Sequence, residues 1–153
     1  MPRLTWDDLL VQEMTADQFR DWMSPWFGVI SGRMAPAFMS KFGSWFLRRP
    51  GGHVEMLDVL TGQVERVADS YEVFMREVNE QWWRETYLFS ELVYQLHEAG
   101  KAPGPGQCYA LAPHPALGGP NPANGDAIDP RFVMVSDVLV WQSICAQSLG
   151  VGQ

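Results

Sequence analysis

Hydrophobic and polar positions along the first forty residues predict a helix followed by irregular chain. A T-x-x-Q capping box begins the helix at Thr15, and aromatic residues then recur at helical spacing. Pro25 should kink or end this helix, because proline lacks the backbone N–H that a helix interior needs. We interpret residues 28–40 as an irregular crossing segment, so that residues 1–40 form an N-terminal helical segment.

Three β-prone runs come next, and turn residues separate them. Pro50-Gly51-Gly52 divides the first run from the second, and Thr61-Gly62 divides the second from the third. Close turn signals between strand-like runs are typical of antiparallel strands joined in chain order. The pattern therefore predicts a three-stranded meander over residues 42–49, 53–60 and 63–68.

The second half of the chain begins with helical patterns. Ser70 can cap a helix through about Asn79, and an apolar stripe predicts a second helix over residues 82–99, with Gly100 after its end. Further on, strands are expected at residues 107–112 and 132–135 and a closing helix at 138–148, capped by Ser136 or Asp137.

A proline- and glycine-rich stretch separates the last two predicted strands. Residues 113–130 contain Leu117 and Ile128 among many turn residues, which suits a long ordered loop pinned to the body of the protein by apolar side chains. We therefore expect Leu117 to be largely buried, together with the strand residues Trp45, Leu57 and Val59.

Together these elements predict an α+β fold. It consists of an antiparallel β-meander packed against helices, with a long ordered loop and a C-terminal helix. A chain of 153 residues suits one domain. We place all of residues 1–153 in it, with 41–150 as the α+β core.

Composition narrows the class of function. The formal net charge of −7 repels phosphate backbones, so we expect no direct nucleic-acid binding and a basic protein partner instead. The alternative is that the acidity only maintains solubility. Two cysteines indicate free thiols in a reducing compartment. Since neither a signal peptide nor a membrane-spanning run is evident, the expected location is the cytoplasm, away from membranes.

Candidate catalytic groups are few and scattered. His53, His97 and His114 have no local metal-ligand spacing, so neither a metal nor another cofactor is expected. Cys108 with His114 could form a nucleophilic pair. The favoured interpretation is structural, because Cys108 should point into the core from a strand and lacks the setting of a reactive thiol.

Two acidic regions contain tryptophans and could serve a protein partner. Asp17 and Asp21 lie one helical turn apart beside Trp22, and Glu77 and Glu80 precede Trp82. Carboxylates that steer a basic partner, with aromatic anchors among them, are typical of charge-steered interfaces. Solvated helix faces have the same pattern. In that case the contact surface would lie instead on the 113–130 loop, whose turns can present polar groups to a partner.

A series of motifs over residues 38–148 resembles the C-terminal domain of immunity proteins that protect bacteria from DNase effectors of type VI secretion systems. The motif residues are Phe42, Gly43, Trp45, Gly62, Cys108, Tyr109, Leu117, Gly118 and Gly119. The resemblance implies an α+β fold and a toxin-neutralising role. It implies that these residues determine the fold, and it does not locate the toxin-binding surface.

The leading hypothesis is therefore a cytoplasmic immunity protein, not an enzyme, that binds a cognate secreted toxin such as a nuclease effector. One alternative is a regulatory protein-binding module without a toxin partner. Another is a small enzyme that uses Cys108 with a histidine.

Overall fold

Short apolar runs joined by turns form a five-stranded antiparallel sheet, in which the strands follow chain order. The computed structural model describes residues 4–151. The strands are β1 (Leu10–Val11), β2 (Ala35–Ser40), β3 (Trp45–Arg48), β4 (Val54–Leu57) and β5 (Val64–Ala68). The meander expected from the turn signals is confirmed as β3–β5. The interpretation of residues 28–40 as irregular is wrong, because β2 lies there and pairs with β3.

Within residues 4–151, six α-helices accompany the strands, and most are short. They are α1 (Trp6–Leu9), α2 (Ala16–Met23), α3 (Tyr71–Glu77), α4 (Gln81–Trp83), α5 (Ser90–Glu98) and α6 (Val138–Ser148). The capping box that begins α2 is confirmed. Thr15 Oγ1 accepts from the Gln18 backbone N–H at 3.0 Å, and Gln18 Oε1 accepts from the Thr15 N–H at 2.9 Å.

The helix expected over residues 82–99 is interrupted. After α4 the chain makes a π-helical turn (Arg84–Leu88), and Phe89 then adopts a left-handed conformation with φ 54° before α5 begins. The Glu85 carboxylate accepts hydrogen bonds from the Ser90 hydroxyl and the Glu91 backbone N–H. It therefore satisfies a backbone donor at the start of α5, the Glu91 N–H, that a continuous helix would have satisfied itself.

A second, two-stranded sheet joins β6 (Gln107–Leu111) to β7 (Val133–Asp137) in antiparallel register. Both strands lie close to their expected positions. The Tyr109 backbone N–H donates to the Lys41 carbonyl at 2.7 Å, which attaches this sheet to the turn between β2 and β3. Helix α6 follows β7 directly, and Asp137 caps it by accepting from the Val140 N–H at 3.1 Å.

Three short 3-10 turns organise the long loop between β6 and β7. Each begins with a proline, and the side chain just before that proline accepts a backbone hydrogen bond, as seen at His114, Asn121 and Asp129. Leu117 is 65% exposed and Ile128 is half-buried, so the expectation that Leu117 pins the loop is wrong. A polar cap holds the first turn instead: Pro115 fixes the backbone, and the His114 side chain accepts from the Ala116 N–H.

The central sheet divides the molecule into two sides, because neighbouring side chains on a strand point to opposite faces. On one side, Trp45 contacts α2 through the ring of Phe19, with centroids 5.5 Å apart. On the other side, Phe46 contacts α3 through Phe74 and α4 through Trp83, at 6.0 and 5.2 Å. We call these the α2 side and the α3 side. The expected burial of the strand residues is confirmed for Trp45, Leu57 and Val59.

A buried glutamine joins distant parts of the chain on the α2 side. Gln142 Oε1 accepts from the indole N–H of Trp26 at 2.6 Å and from that of Trp45 at 3.2 Å. Its amide nitrogen donates to the Gly43 carbonyl at 2.8 Å. Since a buried polar group is costly unless it is paired, these bonds fix α6 against the sheet and the segment after α2.

Candidate protein-binding surfaces

The thiol that could have served as a nucleophile is part of the core. Cys108 lies on β6 and is fully buried, and Cys145 on α6 is buried as well. Burial raises the pKa of the Cys108 thiol to about 12, with a smaller contribution from the Asp137 carboxylate. Burial likewise raises the pKa of Cys145. Because the thiolate is the reactive form, this environment suppresses nucleophilic chemistry.

His114 also has a structural role. Its Nε2 lies 3.0 Å from the Val59 carbonyl and its Nδ1 accepts from the Ala116 N–H at 3.0 Å. This arrangement requires a neutral ring with the proton on Nε2. Burial lowers the pKa of His114, which favours the same neutral form. The ring also lies against Trp141, with centroids 5.7 Å apart, so both nitrogens and one face are engaged within the fold.

The other histidines contact single carboxylates. His53 Nε2 lies 3.1 Å from Glu55 Oε1, and His97 Nε2 lies 4.0 Å from Asp8 Oδ1. Across residues 4–151, no group of three or more histidine, cysteine or acidic side chains is arranged to hold a metal ion. Within the same range, none of the helices is both long and apolar enough to cross a bilayer.

Both cysteines are expected to resist alkylation in the folded protein. A pKa of about 12 for Cys108 leaves its thiolate fraction at neutral pH on the order of a thousandfold below that of a free cysteine. Intact-mass analysis after iodoacetamide treatment should show no adduct under native conditions and two adducts in urea. Rapid labelling of Cys108 in the native state, with loss of a biological activity, would instead support the enzyme hypothesis.

The residues of the resembling motifs lie in the core or in turns, and one apolar side chain among them is exposed. Phe42, Trp45, Cys108 and Tyr109 are fully buried. Gly43, Gly62 and Gly118 have positive φ, which disfavours other residues there. Gly119 faces a different constraint: an added Cβ would lie 2.1 Å from the Pro113 carbonyl oxygen. The exposed side chain is that of Leu117.

The first acidic region, on α2, is only partly available to a partner. Asp17 and Asp21 are exposed, but Arg20 pairs with Asp17 at 2.7 Å and offsets its charge. The expectation that Trp22 serves as an exposed anchor is wrong. Trp22 is 8% exposed, and its ring lies 6.4 Å from that of Trp45. The apolar face of α2 turns this tryptophan toward the sheet, as in other amphipathic helices.

The second acidic region combines exposed charge with an exposed aromatic ring. Glu80 is exposed, Glu77 is half-buried, and Trp82 is 53% exposed. Arg84 lies close in sequence, but its guanidinium donates to the Asn79 carbonyl at 2.7 Å, near the C-terminal end of α3. We call Glu77, Glu80 and Trp82 the acidic face.

The structure does not bring the two acidic regions together. Asp17 and Asp21 lie on the helix of the α2 side, whereas the acidic face belongs to the elements of the α3 side. Because the central sheet lies between them, one flat interface would not cover both. Of these two acidic regions, only the acidic face has an exposed tryptophan that can anchor a partner.

Two further surfaces escaped the reasoning from sequence. One is a cleft on the α2 side, to which four arginines from three segments of the chain contribute. The other is the outer face of α6, where Leu139, Val140 and Ile144 are partly exposed. The eleven residues of α6 include no charged side chain, a signal that the sequence did offer. The arginines offered none, because they come from different segments of the chain.

Comparison with known proteins adds no relative. No protein-family model matches the chain, and no curated protein matches it. The fold and surfaces define an α+β protein in which Cys108, Cys145 and His114 are buried in the core.

Proposed function

We propose that this chain is an immunity protein that binds and neutralises a cognate secreted toxin, such as a nuclease effector of a type VI secretion system. The observation that carries a binding role is the acidic face, where Trp82 is exposed close in sequence to Glu77 and Glu80. The motif resemblance over residues 38–148 supports the narrower role. Both ring nitrogens of the neutral His114 have hydrogen-bond partners within the fold, and Cys108 is buried. These two residues therefore favour a binding role over a catalytic one.

The charge of the acidic face suits a basic toxin. A nuclease needs a positive groove for nucleic acid, and an acidic inhibitor can occupy that groove and be drawn to it by long-range attraction. An exposed tryptophan can then provide the desolvated contact that slows dissociation. Under this proposal the protein acts in the cytoplasm and needs neither turnover nor a cofactor.

The test uses the gene adjacent to this one, which the proposal expects to encode the toxin. Expression of that gene alone should kill the host cell, and co-expression of this chain should restore growth. With purified proteins, toxin activity should fall to zero at about one equivalent of this chain, since each bound toxin consumes one inhibitor. Protection at far lower ratios would indicate an enzyme, and an adjacent gene without toxicity would favour a regulatory binding module.

Matched variants locate the interface in the same assay. Glu77→Lys with Glu80→Lys should slow association, and raising the salt concentration should weaken that difference. Trp82→Ala should speed dissociation by about thirtyfold, the equivalent of about 2 kcal/mol. The control is Asp17→Lys with Asp21→Lys, which changes the net charge equally on the other side of the sheet. If only the control slows association, the toxin binds the α2 side instead.

A further inference from the structure

An open cleft of about 590 Å³ lies on the α2 side. Helix α2 forms one wall, the segment from Phe27 to Ala35 forms another, and the end of β3 closes the cleft below. Its interior is apolar, with Met23, Ile30 and Met34 among the lining residues. Phe27 stands at the edge and is 61% exposed, so its ring is accessible to a ligand in the cleft.

The charged residues that line this cleft are all arginines. They are Arg20, Arg33, Arg48 and Arg49. The chain as a whole has a net charge of −7, with 18 acidic and 11 basic residues. Among the residues that the structure describes, no carboxylate lines the cleft. Arg20 and Arg49 are nevertheless paired with Asp17 and Glu55, and the Arg48 guanidinium lies over Tyr71 of α3. Within the described part of the chain, the unpaired positive charge at the cleft is therefore that of Arg33. Such local charge, above an apolar floor, complements an anionic ligand that also carries apolar groups.

The four arginines differ in how freely they can meet a ligand. Arg49 is fixed: its Nε donates to Glu55 Oε1 at 2.8 Å, and its Nη1 donates to the Ser31 and Arg33 carbonyls at 2.8 and 3.0 Å. It thereby holds the loop that presents Arg33 to solvent. The guanidinium of Arg48 lies over the ring of Tyr71, 3.7 Å from its centroid.

The remaining two arginines are available. Within residues 4–151, the Arg33 guanidinium makes no hydrogen bond or ion pair. Arg20 pairs with Asp17, but both side chains are more than half exposed. Exposed pairs of this kind are worth about 0–1 kcal/mol, so a ligand carboxylate can replace Asp17 at small cost. Arg20 and Arg33 lie on different walls of the cleft, so both can contact the same ligand.

We propose that this cleft binds an acidic peptide segment of a partner protein, in which carboxylates alternate with aliphatic or aromatic side chains. The carboxylates pair with Arg20 and Arg33, whose planar guanidinium groups match carboxylate geometry. The apolar side chains pack on Phe27, Met34 and the floor of the cleft. A peptide fits the shape, because the cleft is open, whereas small ligands are mostly enclosed by their pockets.

This surface is separate from the acidic face and prefers a ligand of the opposite charge. The proposal therefore goes beyond the toxin-binding role and does not depend on it. Variants in the cleft should leave toxin neutralisation at the acidic face intact, and variants of the acidic face should leave the cleft intact. Failure of one proposal is thus distinguishable from failure of the other.

The test is selection of a displayed library of short random peptides on the purified chain. Enriched peptides should combine Asp or Glu with apolar residues. Their affinity, measured by fluorescence anisotropy, should fall tenfold or more for Arg20→Glu with Arg33→Glu, as expected for two lost charge-assisted hydrogen bonds. Arg33→Gln should give a smaller loss without reversing a charge, which keeps the test valid if the double variant fails to fold.

The matched control is Arg66→Glu with Arg76→Glu, which makes the same charge change elsewhere. Arg66 also pairs with an aspartate three residues away, at 3.5 Å, and Arg76 is exposed on α3. Equal losses in both double variants would show bulk charge attraction and overturn the proposal. Enrichment of peptides without acidic residues would overturn it too. Saturable binding of decanoate without any peptide enrichment would do the same, in favour of a small amphipathic acid.

Discussion

Replacing Gln142 with leucine is expected to destabilise the folded protein by about 3 to 5 kcal/mol. The change keeps the side-chain size but removes the acceptor shared by Trp26 and Trp45 and the donor to the Gly43 carbonyl. Three buried polar groups then lose their partner, and water cannot replace it, since Gln142 is fully buried. Such groups cost about 1–3 kcal/mol each when left unpaired.

Urea unfolding followed by far-UV circular dichroism measures this loss. Gln147→Leu is the matched control, because Gln147 lies on the same helix and is exposed. Its effect should stay within about 0.5 kcal/mol. A free energy of unfolding for Gln142→Leu within about 1 kcal/mol of wild type would show that the three hydrogen bonds contribute little.

Gly119→Ala is expected to cost about 3 kcal/mol, at the upper end of the usual range for overpacking. An added Cβ would lie 2.1 Å from the Pro113 carbonyl oxygen and 3.2 Å from that of His114. Both atoms belong to the backbone that leads into the first 3-10 turn, so relief requires this segment to move. That movement would also loosen the contact of His114 with the Val59 carbonyl.

The neighbouring glycine provides the control. At Gly118 an added Cβ meets nothing within 4 Å, and only the φ of +96° opposes substitution. Gly118→Ala should therefore cost about 1 kcal/mol, as a left-handed backbone does. Thermal unfolding gives both values, and hydrogen exchange over residues 113–120 should accelerate in Gly119→Ala alone. Equal effects of the two substitutions would refute the steric account.

Much of the fold is predictable from local signals, and its failures have physical causes. The meander and α6 follow from turn residues and caps that act over a few positions. Strand β2 was missed because it contains Pro36, which usually argues against a strand. The structure accommodates this proline where the register of β2 and β3 shifts, and β1 pairs only with the far end of β2. The N–H that proline lacks is thus not needed there.

The break at Phe89 was hidden for a different reason. The apolar residues on either side of it, Leu88 and Leu92, keep helical spacing, so the periodicity predicts one continuous helix. At the interruption the Glu85 carboxylate accepts hydrogen bonds from Ser90 and Glu91, and side-chain bonds of this kind leave no periodic signal.

The candidate surfaces were predictable only in part. Trp82 and its acidic neighbours lie close together in sequence, so their shared exposure could be expected. Trp22 has a similar sequence context but faces Trp45, and only the packing of α2 on the sheet decides that difference. The open cleft on the α2 side brings Arg20 together with Arg33 and the end of β3. These residues are far apart in the sequence, so no short stretch of it reveals the arrangement.

The position of Gln142 in the chain also has a consequence for biosynthesis. Trp26 and Trp45 leave the ribosome early, whereas the amide that binds both indoles belongs to α6 and is translated about a hundred residues later. Until α6 is made, the indole N–H groups of Trp26 and Trp45 lack their acceptor. The apolar α2 side of the sheet stays exposed to molecular chaperones during that time. Completion of the core is therefore a late event, timed by the emergence of α6.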